Sequence, residues 1–301
     1  MPIGLLTYDD ASRREDLVDV ITNVSPQDTP LLSGNIGTGP DATNTLHEYL
    51  ADTFAAAADN AQVEGQAFTV VDLQAPTRNT SITQIFTDAI QVTGTEESVN
   101  TAGVRSAFQY QLEKAMKEHA KDIELALMAG STASGNSGVA RRMDGVLACI
   151  TTNRSTVASG TSLSETEFNS IMELVKLTTD EIPSQIYVGS TLRRDINGFT
   201  ANNTRYVAAD DRRLVRPVNV YEGDFGVHEV FWHRNVSNAA NAKELVAITP
   251  KYFQKSWLSG RKTFVKRIAS DGDRERAMVI SELTLECLAE EASAFFDGYT
   301  S

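Results

Sequence analysis

The side chains from which nucleophilic or metal chemistry would have to be built are four histidines, His47, His119, His228 and His233, and two cysteines, Cys149 and Cys287. His228-Glu229 followed by His233 imitates a zinc-protease motif, but the second histidine comes five residues on instead of four. The segment also alternates like a strand, which places the two rings on opposite faces. His47 and His119 would need a serine or cysteine nucleophile, yet no Gly-x-Ser-x-Gly elbow occurs, and His119 reads as a packing residue of a long helix. The cysteines fall in apolar strand contexts without paired or metal-ligand spacing, so they read as small core residues, and no disulfide framework or zinc module is expected. Gly130 to Ser137 has the spacing of a phosphate-binding loop, with Asn136 where the lysine must stand and a helix where a strand should lead in. It reads as a surface loop. Asp271-Gly272-Asp273 lacks the remaining ligands of a calcium loop and reads as a hairpin turn. A hydrolase is therefore the remote alternative, and no cofactor or metal is expected.

The elements that would position these residues form an α+β chain. With 301 residues, 41% of them hydrophobic, the chain can build packed cores for about two domains. No apolar run reaches membrane-span length, and the amino terminus lacks a basic region followed by an apolar stretch, so no membrane contact and no secretion are expected. Residues 1 to 113 hold 16 acidic side chains against four arginines and no lysine, whereas the rest of the chain is almost balanced. A net charge of -13 argues against affinity for nucleic-acid phosphates, which requires a cationic surface. The Arg205, Arg212, Arg213 and Arg216 stretch is interleaved with Asp210 and Asp211 and reads as a solvated or subunit-contacting face.

Pro26 and Pro30 stop a short helix in an arm with apolar anchors over residues 17 to 32. Between 41 and 97, β-branched runs at Phe68 to Leu73 and Ile82 to Val92 predict a two-stranded ribbon, which stays ordered only against another body. Residues 101 to 129 predict one long amphipathic helix, with Phe108, Leu112, Met116, Ile123 and Leu127 at helical spacing. A short apolar strand is expected up to Ile150, and Ser164 with Glu167 forms a capping box for a second helix. Strands at 186 to 188 and 245 to 248, a helix near 192 to 199 and a hairpin turning at Gly223-Asp224 complete a mixed unit. A terminal hairpin follows, in which Val279, Leu283, Leu285 and Cys287 share one strand face.

In this order the parts resemble the major capsid proteins of tailed bacteriophages with the Hong Kong 97 type fold. The resemblance rests on Ser25 to Leu32, Glu48-Tyr49-Leu50-Ala51-Asp52, Glu64-Gly65, Asn79, Thr83-Gln84-Ile85, Val92-Thr93-Gly94-Thr95, Ala102-Gly103, Lys121-Asp122-Ile123-Glu124 and Arg142-Met143-Asp144-Gly145. It implies an arm at 1–40, an extended loop at 41–98, a peripheral domain at 99–154 with its spine helix at 101–129, an axial domain at 155–250, and a return to the peripheral domain at 251–301. The implied function is mechanical: hexamers and pentamers forming an icosahedral virion shell around double-stranded DNA held without sequence-specific binding. Portal, separate scaffold and cement proteins are the implied partners, with assembly in the host bacterial cytoplasm. A cellular nanocompartment shell is the alternative with the same fold.

Only about 40 residues precede the loop, too few for a folded scaffold, so a separately encoded scaffold or none is expected. Expected interface residues are Leu31 and Leu32 in the arm, and Glu64, Phe68, Val70, Arg78, Ile82 and Phe86 in the loop. Basic partners for the acidic loop are Arg141, Arg142, Arg261, Lys262, Lys266 and Arg267. The type member of the fold cross-links its subunits through a loop lysine, and here the first lysine is Lys114, inside the spine helix.

Overall fold

The computed structural model describes residues 29–52, 59, 61–65, 67, 75–99, 106–157, 162–202, 220–236, 244–269 and 272–299. The arm before Thr29, the Phe68 to Leu73 run with Phe68 and Val70, the arginine-rich stretch and Asp271 lie outside them.

A wide helical turn at Leu31–Asn35 leads into β1 (Gly37–Thr38), β2 (Leu46–Ala51), β3 (Thr77–Ile82) and β4 (Gln84–Thr93). Next come α1 (Gly94–Ser98), the spine helix α2 (Ala107–Ala129), α3 (Val146–Cys149), β5 (Arg154–Thr156), α4 (Glu165–Thr179), β6 (Gln185–Val188) and α5 (Ser190–Asn202). The chain continues with β7 (Val220–Gly223), β8 (Gly226–Trp232), β9 (Leu245–Ile248), β10 (Phe253–Trp257), β11 (Phe264–Ile268), β12 (Arg274–Cys287) and β13 (Ala294–Asp297).

Two helix starts follow from capping hydroxyls: Ser106 Oγ accepts from the Gln109 N–H, and Ser164 Oγ from the Glu167 N–H. The spine is 23 residues long, roughly 35 Å at helical rise, and lies along a sheet whose backbone is β12. One edge of β12 pairs antiparallel with β4 from Arg274↔Thr93 to Leu283↔Gln84, and the other with β11 and then β10. As the alternation predicts, Val279, Leu283, Leu285 and Cys287 are all buried. Leu283, Leu285 and Cys287 pack with Ile123, Leu127 and Met128 of the spine. Met116, expected inward, is instead exposed.

The second sheet runs β5-β13-β9-β6-β8-β7. Its central strands are buried on both faces, which explains their unbroken apolar runs. Leu245, Ala247, Ile186 and Val188 pack with Phe168, Ile171 and Met172 of α4. Val246, Ile248 and Tyr187 face the core beneath the spine. Strand β13 sits between β5 and β9 in this sheet, so the segment 251–301 does not belong wholly to the first one.

Two local readings are corrected. The Ile82 to Val92 run is not one ribbon strand: it breaks at Thr83, leaving β3 to pair with β2 (Leu46↔Ile82 to Ala51↔Thr77) while β4 turns into the main sheet. Thr83 is fully buried at that break, its N–H donating to Thr45 O and its hydroxyl to Glu282. The expected strand before Ile150 is the helical turn α3, which sends Val146 and Ile150 into the core one turn apart.

Candidate assembly interface

All four histidines find a hydrogen-bond partner inside the fold, and only Nε2 of His228 is buried without one. His119, on the spine, connects Asp88 (2.6 Å from Nδ1) to Ser281 (2.7 Å from Nε2). That connectivity matches an acid, base and hydroxyl relay, but Ser281 is fully buried and paired with Thr263 Oγ1 at 2.8 Å. A substrate carbonyl therefore has no approach to the hydroxyl. His228 donates from Nδ1 to Pro183 O at 2.7 Å among Phe168 and Tyr221. His233 lies on the other side of the sheet, so the zinc-protease resemblance is geometrically empty, as the alternation predicts. Among the described residues no three His, Cys, Asp or Glu side chains converge as metal ligands. No described helix is long and apolar enough to cross a membrane.

Buried acids instead fasten the parts of the chain to one another. Glu124, 1% exposed on the spine, accepts from the Leu31 N–H (3.0 Å), the Leu32 N–H (2.9 Å) and His233 Nε2 (2.8 Å). The Asn235 N–H donates to His233 Nδ1 at 3.2 Å, which fixes the tautomer with its proton facing Glu124. Lys255 donates to Leu32 O at 2.7 Å, and burial lowers its pKa. One carboxylate thus joins arm, spine and second sheet. On the outward face of β12, Glu282 accepts from Arg141 Nη2 (2.8 Å) and the Thr83 hydroxyl (2.8 Å) and is in ion-pair contact with Arg261 Nε at 2.7 Å. Two residues along that face Thr284 Oγ1 donates to Ile82 O, and Glu286 meets His47 Nε2 at 2.8 Å and the Ser256 hydroxyl. The Cys287 N–H donates to the Tyr49 hydroxyl at 3.1 Å. The ribbon root is therefore seated on charged and polar groups, and a Cβ at Gly39 would come within 2.6 Å of Ser256 Oγ.

These contacts redistribute the expected interface residues. Leu31 and Phe86 fill their own chain's core, Leu32 is half-buried against it, and Arg141 and Arg261 are held by Glu282. Exposed cations remain at Arg142, Lys262, Lys266 and Arg267, the last stacked over Phe108 at 5.5 Å. Glu64 is exposed in a turn. The ribbon register puts Leu46, Glu48 and Leu50 opposite half-buried Ile82 and exposed Thr80 and Arg78 on one face. That face carries the Arg78–Glu48 ion pair, with Leu46 46% and Leu50 66% exposed. The other face carries His47, Tyr49 and Ser81 toward the body. Sequence reasoning missed the acids at 124, 282 and 286. The signal available for the last two was an alternation that puts charge on a strand's second face.

Comparison with known proteins adds the following. The family model of the SU10 major capsid protein matches residues 4–300. The major capsid protein of Escherichia phage Phieco32 is 30% identical over 131 residues, 43% of this chain and 36% of that protein, so just over a third of that relative's length is spanned. The capsid of a native GTA particle superposes with a TM-score of 0.69 at 11% identity, covering 98% of both chains. Gordonia phage Cozz gives 0.63 at 11% identity over 95% of this chain and 91% of the other. An encapsulin complex from Synechococcus elongatus gives 0.58 at 10% identity over 93% and 92%. At these identities the structural likeness establishes the fold, that of Hong Kong 97 type capsids.

Proposed function

The chain belongs to the SU10 major capsid protein family, and on that footing we propose that its copies form hexamers and pentamers of an icosahedral head shell that encloses phage double-stranded DNA. The observation that carries the reading is the family match over nearly the whole chain, joined to a ribbon whose outer face exposes Leu46 and Leu50 among the described residues. A projecting two-stranded ribbon with exposed leucines gains by lying on another copy, where that apolar surface leaves water. The acidic loop would meet the exposed cations Arg142, Lys262, Lys266 and Arg267 of a neighbour. Exposed pairs are worth about 0 to 1 kcal/mol each, so apolar contact carries most of the docking and charge sets its register. An acidic subunit also suits a wall that holds DNA without binding its sequence. Assembly takes place in the host bacterial cytoplasm, with a portal and with separate scaffold or cement proteins as partners. No reaction is assigned to the chain.

The encapsulin likeness favours a second reading, a cellular nanocompartment shell. Particles isolated on a density gradient from cells carrying the gene in its own context, then treated with nuclease, separate the two. Nuclease-protected DNA inside shells made mainly of this chain is expected. Shells holding an enzyme and no DNA would select the compartment, and the absence of particles would reject both.

A further inference from the structure

Cys149 and Cys287 are the only cysteines in the sequence, and the fold lays their segments side by side. Just beyond them, the Thr151 N–H donates to Glu290 Oε2 at 2.7 Å, Asn153 Nδ2 to Glu291 O at 2.6 Å, and the Phe295 N–H to Asn153 O at 2.9 Å. Within that frame α3, which ends at Cys149, lies against β12, which ends at Cys287, and half-buried Cys149 packs against the core cluster that contains Cys287, with both thiols free. Cys287 is 7% exposed, under the Tyr49 hydroxyl of the ribbon root.

We propose that Cys149 and Cys287 form a redox-closable staple, joined into an intrachain disulfide by a low-molecular-weight disulfide such as oxidised glutathione. The more accessible Cys149 thiolate attacks one sulfur of the glutathione disulfide, forming a mixed disulfide and releasing one glutathione thiolate. Cys287 then gives its proton to solvent, attacks the Cys149 sulfur and displaces the second glutathione. Two protein thiols are oxidised and one disulfide is reduced to two thiols, with nothing left over. Cys149 is the less buried of the two and attacks first, while its neighbouring thiol and burial hold the Cys287 thiol well above its ordinary pKa. The bond would tie α3 to the end of β12 beneath the ribbon root and close a long chain loop, the case in which a cross-link constrains the unfolded chain most. In a reducing compartment it stays open; in an oxidising medium it closes. The inference depends on one chain's geometry and stands apart from the shell reading.

The test uses the full chain, reduced, freed of reductant and incubated folded with oxidised glutathione, then alkylated and digested. Alkylatable thiols should fall from two to none, with the Cys149 and Cys287 peptides recovered as one linked pair lacking two hydrogens. Tm should rise by roughly 5 °C or more and return on adding dithiothreitol. Two thiols that still alkylate, glutathione retained on either cysteine, or a bond linking two copies would overturn the staple. Cys149→Ser should abolish the oxidation-dependent gain in Tm; the same gain in that variant would also overturn it. Should the variant fail to fold, the peptide map of the unaltered chain decides alone.

Discussion

Glu124 lies on a helix whose periodicity alone would put an acid in water, yet it is almost wholly buried and takes two backbone N–H groups and one imidazole. A buried carboxylate costs several kcal/mol to desolvate, and its partners repay this only while all are present. Glu124→Ala should therefore cost about 3 kcal/mol in the unassembled chain, read by urea unfolding, because three buried donors lose their acceptor at once. Equal stability of variant and parent would show that the hub is not a fastening. His228 sets a different test. Burial lowers its pKa from 6.5, while the bond to Pro183 O partly opposes the shift. The unfolded state therefore takes up a proton before the folded one as pH drops, so stability is full above pH 6.5 and declines below it until the folded pKa is reached. The slope from this group is at most about 1.4 kcal/mol per pH unit, and His228→Phe should flatten unfolding curves collected between pH 7 and 5. A variant that keeps the parent's slope would assign the loss to other groups.

At the scale of elements, what could be read from sequence was what local spacing determines. The spine, the capping box at Ser164 and the buried face of β12 each depend on spacing over a few residues, and the fold follows them, except that the spine begins at Ala107 behind its Ser106 cap and not at 101. Pairings decided by distant partners were not legible. Nothing near Leu46 announces Ile82 as its partner, and the break at Thr83 depends on Glu282 from the far end of the chain. Arg141 and Arg261 looked like free cations for the same reason, since their carboxylate lies far away in sequence. The ribbon's outer face separates folding from docking. Leu50 is 66% exposed, so Leu50→Asp should shift the stability of the unassembled chain by no more than about 0.5 kcal/mol. Burying that charge in an interface costs one to a few kcal/mol per contact, so shell yield should fall at least about tenfold. Urea unfolding reads the first quantity and sedimentation the second, and normal yield from a well-folded variant would place the docking surface elsewhere.

For the whole molecule, the chemistry of locking follows from what the loop lacks. Residues 41 to 98 contain no lysine, and their single cation is Arg78, whose guanidinium stays protonated and cannot attack an amide. Mature particles boiled in detergent and reductant should run as one band at 32.8 kDa. A ladder of multiples would mean a covalent route through other residues. Copies of this chain should close a lattice through their ribbons, and single-particle cryo-electron microscopy of the full chain expressed with its gene neighbours shows whether they do. Closed icosahedral shells are expected, with the Leu46 and Leu50 face of each ribbon lying on the next copy. A chain that remains monomeric, or a shell whose ribbons touch only their own subunit, would contradict it.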